Sequence, residues 1–176
     1  MKYTIGQFRF SHFFTAHKAS APLWFIVRLY VGYEWLMAGW EKVMSPVWFG
    51  AGAGAALKGF VQGALAKTGG AHPDVSLWYA AFLQSVVLPH AAAWSNIVAV
   101  GEVLVGLGLV IGLATGIAAF FGFFMNLNYL LAGAVSTNPT LLVLALCLIL
   151  ARRVAGEWGL DRYARPFLAK GFHRSF

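Results

Sequence analysis

The chain has 176 residues, of which 60% are hydrophobic and only 11% are charged. A water-soluble domain carries roughly 25% charged residues, so this composition excludes a soluble globular enzyme. The length accommodates a single domain, residues 1–176. Cys147 is the only cysteine. It excludes a disulfide framework, a CxxC redox pair and a cysteine-based metal cluster within the chain.

Four apolar stretches predict transmembrane helices. Spanning the apolar core of a bilayer takes roughly 20 residues in a helix. In chain order the predicted spans are about 23–43, 95–113, 116–135 and 139–151. The fourth span begins at Asn138 and Pro139, because proline suits a first helical turn. The sequence therefore predicts an all-α integral membrane protein with a four-helix bundle.

The outer loop between the first two spans, residues 44–93, is long enough to hold interfacial helices. Residues 55–67 place apolar side chains at helical spacing, which predicts an amphipathic helix on the membrane surface. Residues 76–88 form a second apolar segment, too short to span comfortably, that is re-entrant or interfacial. Residues 152–176 form a tail on the opposite side of the membrane.

Basic residues predict the orientation. They concentrate before the first span and after the fourth, whereas the outer loop holds only Lys58 and Lys67. Because cytoplasmic segments carry the excess of lysine and arginine, both termini are expected in the cytoplasm. Topology and contact with anionic membrane lipids account for the net charge of +7, so nucleic acid is not an expected partner.

Charged and polar side chains inside the predicted spans indicate the candidate site. A charge at the bilayer centre costs at least ~2.5–3.5 kcal/mol, so each one requires a reason. Glu102 is the only charged residue between Trp94 and Ala151. The helical rise places Glu34, Glu102 and Asn126 near the midplane or slightly outward of it, where they can meet.

One stripe of the first span combines cations with small residues. Arg28, Gly32, Trp35, Gly39 and Lys42 follow one another at helical spacing. The two glycines allow another helix or a ligand to approach between the cations.

A purely structural interpretation stays open for several of these residues. Glu102 and Arg28 can form a buried pair that pins helices together. Asn126 and Asn128 can form interhelical hydrogen bonds.

No haem, metal or flavin site is predicted. His72 and His90 lie in the outer loop without a second ligand at metal spacing. No two spans carry histidines at matching depth, as a cytochrome b type haem site requires.

Two segments resemble the DoxX/DoxD family of small four-span membrane proteins. Residues 28–42 read RLYVGYEWLMAGWEK, and residues 101–113 read GEVLVGLGLVIGL. The family shows an arginine early in the first span, Gly-x-x-Lys near its end, and a glutamate followed by glycines in the second. These positions are occupied here by Arg28, Gly39, Lys42, Glu102, Gly106 and Gly112. The AGWEK ending and the long outer loop resemble the DoxD branch, the large subunit of thiosulfate:quinone oxidoreductase.

The resemblance implies that thiosulfate is oxidised to tetrathionate at the outer face and that electrons pass to a membrane quinone. It implies a protein of the prokaryotic cytoplasmic membrane, with a second small subunit or further copies of the chain as partners. The alternative function is a non-catalytic membrane subunit that anchors or organises a respiratory or redox complex.

The candidate residues suit this chemistry. Lys42 can hold a dianion, Trp35 can stack on a quinone ring, and Asn126 and Tyr129 can hold its carbonyls. Glu102 and Glu34 are candidate proton carriers, since burial favours a protonated carboxyl group. The candidate catalytic residues are Glu102, Glu34 and Arg28, and the candidate substrate-binding residues are Lys42, Trp35, Asn126, Asn128 and Tyr129.

Overall fold

The computed structural model describes residues 12–164, and in this part of the chain all regular structure is helical. The helices are α1 (Ala21–Met44), α2 (Ala55–Leu65), α3 (Leu77–Phe82), α4 (Ala91–Ile111), α5 (Thr115–Leu131) and α6 (Asn138–Leu150). The predicted all-α class is confirmed. Helices α1, α4, α5 and α6 correspond to the predicted spans, and Pro139 lies in the first turn of α6 as expected.

Helices α3 and α4 belong to one helical run of 35 residues, Leu77–Ile111. A π-helical segment (Leu83–Val87) and a 3-10 turn (Leu88–His90) join them. The sequence predicted a separate apolar segment over 76–88. The structure corrects this, because these residues continue without a break into α4. Proline lacks a backbone N–H, and the π and 3-10 turns beside Pro89 change the hydrogen-bond spacing without ending the helix.

Among the described residues, this run is the one helix both long and apolar enough to cross a membrane, judged by length and composition. Helices α5 and α6 are shorter apolar helices, and α1 carries Arg28, Glu34, Glu41 and Lys42. The four-span arrangement and its orientation stay predictions.

The core of the bundle depends on a close approach of α1 and α4. A Cβ atom added at Gly39 would lie 2.6 Å from the backbone nitrogen of Val103, and one added at Gly32 would lie 2.9 Å from Cβ of Leu109. The two backbones therefore touch where α1 has no side chain. This confirms the predicted stripe of α1, whose buried members include Arg28, Gly32, Trp35 and Gly39.

Helix α2 forms a second packed layer with the outer loop. Its Leu57, Val61 and Ala64 side chains are buried in an apolar cluster with Val75 and Tyr79. The helix over this segment was predicted, but its apolar side packs on protein, where the sequence predicted contact with the membrane surface. The sequence pattern shows that one side is apolar and leaves open what that side covers.

The segment after α6 closes the end of the bundle where Gly112 terminates α4. Gly112 has a φ of 67°, the left-handed conformation that commonly follows a helix. The backbone N–H of Asp161 donates to the Gly112 carbonyl at 2.7 Å. The Asp161 carboxylate in turn accepts hydrogen bonds from the N–H groups of Ala114 (2.6 Å) and Thr115 (3.0 Å), where α5 begins.

Candidate functional site

A buried carboxylate at the meeting of three helices is the centre of the candidate site. Glu102 of α4 is 1% exposed. Its Oε2 accepts a hydrogen bond from Nζ of Lys42 of α1 at 2.7 Å, and its Oε1 accepts one from the Tyr129 hydroxyl of α5 at 2.5 Å. We call Lys42, Glu102 and Tyr129 the Glu102 triad.

The glycine stripe of α1 creates this geometry. Gly39 lies three residues before Lys42, and a Cβ atom there would lie 2.9 Å from Cβ of Glu102. Residues three apart share one helix face. The missing side chain thus brings α4 close enough for the Lys42 ammonium to reach the carboxylate.

The ion pair of Lys42 and Glu102 is asymmetric in its access to solvent. The Lys42 side chain is 18% exposed, whereas the Glu102 side chain is 1% exposed. The Lys42 ammonium also lies 5.3 Å from the centre of the Trp48 ring, within the range of a cation–π contact. Of the two members of the ion pair, Lys42 is therefore the one that solvent reaches.

Aromatic rings surround Tyr129. The Trp35 ring stacks on it with centroids 6.4 Å apart, and the Phe60 ring of α2 meets it edge-on at 5.9 Å. Both arrangements are favourable geometries for aromatic pairs. The layer formed by α2 thus covers the triad from the outer-loop side.

Two buried polar groups beside the triad lack hydrogen-bond partners within the described part of the chain. They are the indole Nε1 of Trp35 and the side-chain amide of Asn126, both atoms of which are unsatisfied. Asn126 lies three residues before Tyr129 on α5 and is 0% exposed. Buried unsatisfied donors are rare and call for a ligand or a water molecule. Both groups therefore have N–H donors left for a ligand or a water molecule.

Arg28 does not form the pair with Glu102 that was considered from the sequence. It is 0% exposed. Its Nη1 donates to the Leu109 carbonyl at 2.6 Å and its Nη2 to the Trp158 carbonyl at 3.0 Å. It therefore joins the last turn of α4, where cations are favourable, to the segment after α6. Leu109 lies about 10 Å along α4 from Glu102, so Lys42, not Arg28, is the partner of that carboxylate.

Two other candidate residues also lie apart from the triad. Glu34 is half-buried on α1, and it forms no hydrogen bond or ion pair with a residue in 12–164. The Asn128 Oδ1 lies 3.1 Å from the Tyr79 hydroxyl, and its amide donates to the Phe124 carbonyl at 2.8 Å. Asn128 therefore joins α5 to α3, in agreement with the structural interpretation of this residue.

Three residues that contact the Glu102 triad or close the end of the bundle were not identified from the sequence. Phe60 and Trp48 lie in the outer loop, where aromatic residues are typical of a membrane interface, and only folding brings them to Tyr129 and Lys42. Asp161 had one signal, since it is an acidic residue in a basic tail. Among the described residues, no group of three or more His, Cys, Asp or Glu side chains is placed to hold a metal ion.

A family model described as "TQO small subunit DoxD" matches residues 23–170, most of the chain. It covers all three members of the Glu102 triad. No similar protein was found among curated proteins or among solved structures. The description names the small subunit, where the sequence resemblance was to the large one.

Proposed function

Because the chain belongs to the DoxD family, we propose that it is a membrane subunit of a thiosulfate:quinone oxidoreductase that reduces quinone beside the Glu102 triad. Thiosulfate is oxidised to tetrathionate at the outer face. One observation carries the proposal: a buried carboxylate is hydrogen-bonded to Tyr129, whose ring stacks on Trp35, and the Trp35 Nε1 and the Asn126 amide are buried without partners in the described residues.

Quinone reduction requires protons in the apolar interior of the protein. Two thiosulfate ions lose one electron each as a sulfur–sulfur bond forms between them, and the quinone takes up these two electrons and two protons. A positioned carboxyl group supplies protons in such reactions. In the structure the Tyr129 hydroxyl donates to Oε1 of Glu102 at 2.5 Å. Tyr129 therefore gives its proton to the quinone and takes a replacement from Glu102 once that carboxyl group is protonated.

The groups around Tyr129 bind the quinone. The Trp35 indole and the Asn126 amide donate hydrogen bonds to its carbonyl oxygens. The Trp35 ring, which already stacks on Tyr129 at 6.4 Å, provides an aromatic surface for the quinone ring. These two residues lie on α1 and α5, so the quinone head group contacts both helices.

A partner subunit completes the enzyme. The family description contains the words "small subunit", which supports assembly with another chain. Lys42 supplies one positive charge, whereas tetrathionate formation requires two thiosulfate dianions to meet. We therefore assign the quinone side of the reaction to this chain and part of the thiosulfate site to a partner.

The alternative is a non-catalytic subunit that organises the complex. Both carboxylate oxygens of Glu102 have partners on other helices, which is also what a structural pin between α1, α4 and α5 requires. The two functions predict different turnover for a variant in which residue 102 keeps its shape but has no carboxyl group.

The test compares Glu102→Gln with Glu41→Gln, which removes an exposed carboxylate from α1. Quinone reduction by the purified protein, together with any co-purifying subunit, is measured with thiosulfate as donor. Loss of a proton-transferring group lowers turnover by about 10²–10⁴-fold, so Glu102→Gln is expected to lose at least 100-fold while Glu41→Gln stays active. A folded Glu102→Gln protein with near-normal turnover refutes the proposal and favours the structural pin.

A further inference from the structure

Lys42 is the one member of the Glu102 triad whose charge can meet an ion from outside. Its side chain is 18% exposed, it lies in the last turn of α1, and its ammonium contacts the Trp48 ring. In the structure this charge is compensated by Glu102 at 2.7 Å. An anion can therefore gain the full attraction of Lys42 only if Glu102 releases it.

Release of Lys42 has a defined electrostatic consequence. A buried carboxylate that loses its cationic partner is left as an uncompensated charge in a low-dielectric interior, which is strongly unfavourable. A group in that position takes up a proton and becomes neutral. The other titratable neighbour is Tyr129 of α5, which donates to Oε1, and Tyr79 of α3 lies beyond it. Neither replaces the positive charge of Lys42.

We propose that Lys42 exchanges partners, so that binding of a thiosulfate dianion at Lys42 loads a proton onto Glu102. This inference rests on the proposed function and adds how the two substrates of the site are coupled. The proton comes from water on the side that the ammonium vacates. Glu102 then carries one of the two protons that quinone reduction consumes, and a second round of binding and protonation supplies the other.

The coupling has a direction that can be worked out. If an anion at Lys42 favours protonation of Glu102, then protonation of Glu102 favours the anion equally, because linkage is reciprocal. The affinity for thiosulfate is therefore highest at acidic pH and falls as the pH rises. Electron donation thus begins only when a proton for the quinone is in place.

The experiment measures binding and proton uptake separately from activity. Sodium thiosulfate is titrated into the purified full-length chain by calorimetry, in two buffers of different ionisation enthalpy at one pH. The wild-type protein is expected to take up about one proton per dianion bound. In Glu102→Gln the side chain at position 102 cannot take up a proton. It is expected to bind thiosulfate at least as tightly as wild type and with no pH dependence.

The variants at Lys42 complete the test. Lys42→Met leaves Glu102 without its cation and can unfold, so the double variant Lys42→Met/Glu102→Gln, which leaves no unpaired charge, is measured beside it. Both are expected to bind thiosulfate about 5–150-fold more weakly than Glu102→Gln. Lys18→Met is the matched control, since it removes a surface cation that pairs with Glu157 at 2.8 Å. It is expected to behave as wild type.

Three results would overturn the inference. They are a wild-type protein that binds no thiosulfate, proton uptake that persists in Glu102→Gln, and wild-type affinity in the double variant. Failure of the proposed function looks different. Coupled binding without quinone reduction refutes the oxidoreductase and leaves the coupling standing, whereas quinone reduction without coupling refutes the coupling alone.

Discussion

Single residues show how this chain accommodates buried charge. Glu102 is paired with a lysine, whereas the Nη atoms of Arg28 donate to backbone carbonyls and the Asp161 carboxylate accepts from backbone N–H groups. Burying a charge is costly unless it is paired or hydrogen-bonded. Arg28 and Asp161 are held by helix ends, so they serve the fold, while Glu102 and Lys42 hold one another and can exchange partners.

Asp161 gives a stability prediction at this scale. Its carboxylate accepts two N–H groups at the start of α5, where a negative charge also meets the positive end of the helix. Asp161→Asn is expected to destabilise the protein by about 1 kcal/mol. Unfolding of the detergent-solubilised protein measures this, with Asp74→Asn, an exposed acidic residue of the outer loop, as control. Equal stability of the two variants would contradict a capping role.

At the scale of elements, the contact of α1 with α4 positions the candidate site. The approach requires glycine on both helices, because Gly32 and Gly39 of α1 and Gly106 of α4 each lie directly against the opposite helix. Lys42 and Glu102 lie on these two helices, so the geometry of the ion pair depends on how closely the backbones pack. Packing and electrostatics are therefore coupled through Gly39.

Gly39→Ala tests this contact. The added methyl group would lie 2.6 Å from the Val103 nitrogen, so the helices must separate. Overpacking of this kind costs about 1–3 kcal/mol, and a lower melting temperature in detergent is expected together with reduced quinone reduction. Gly59→Ala is the control, since no atom lies within 4 Å of its added Cβ and alanine favours the helix by about 1 kcal/mol. Melting of Gly39→Ala at or above the wild-type temperature would show that α4 does not pack on this glycine.

The surface of the whole molecule is unusually apolar. Large exposed side chains follow one another along the later helices, among them Ile97, Leu104, Ile117, Phe124 and Val143. Extended apolar surface of this kind marks contact with a membrane or a partner. Together with the apolar run Leu77–Ile111, it agrees with a membrane protein of the DoxD family.

Topology is the prediction at this scale. In a variant without the native Cys147, a single cysteine at Ala55 or Ala71 is expected to react with a membrane-impermeant reagent in sealed cells, because the basic residues place that loop outside. Both positions are exposed. A cysteine at Ala169, which lies outside the described residues, is expected to react only after the cells are opened. Its labelling in sealed cells would refute the placement of both termini in the cytoplasm.

The sequence by itself determined the helices and the buried side of α1. The four apolar stretches predict α1, α4, α5 and α6, Pro139 marks the start of α6, and the spacing of glycines and cations identifies the buried stripe of α1. These features are local, since they depend on residues within a few turns of one another. The family resemblance was carried by the same local motifs.

Only the tertiary structure decided which partner each buried charge takes. The helical rise gives the depth of Glu102 but not its rotation toward Lys42, and the partners of Arg28 are backbone carbonyls that no sequence pattern marks. Phe60 reaches Tyr129 from a loop more than 60 residues away in the chain. Such contacts depend on how helices pack in three dimensions, where the position of one side chain is set by the small residues of another helix.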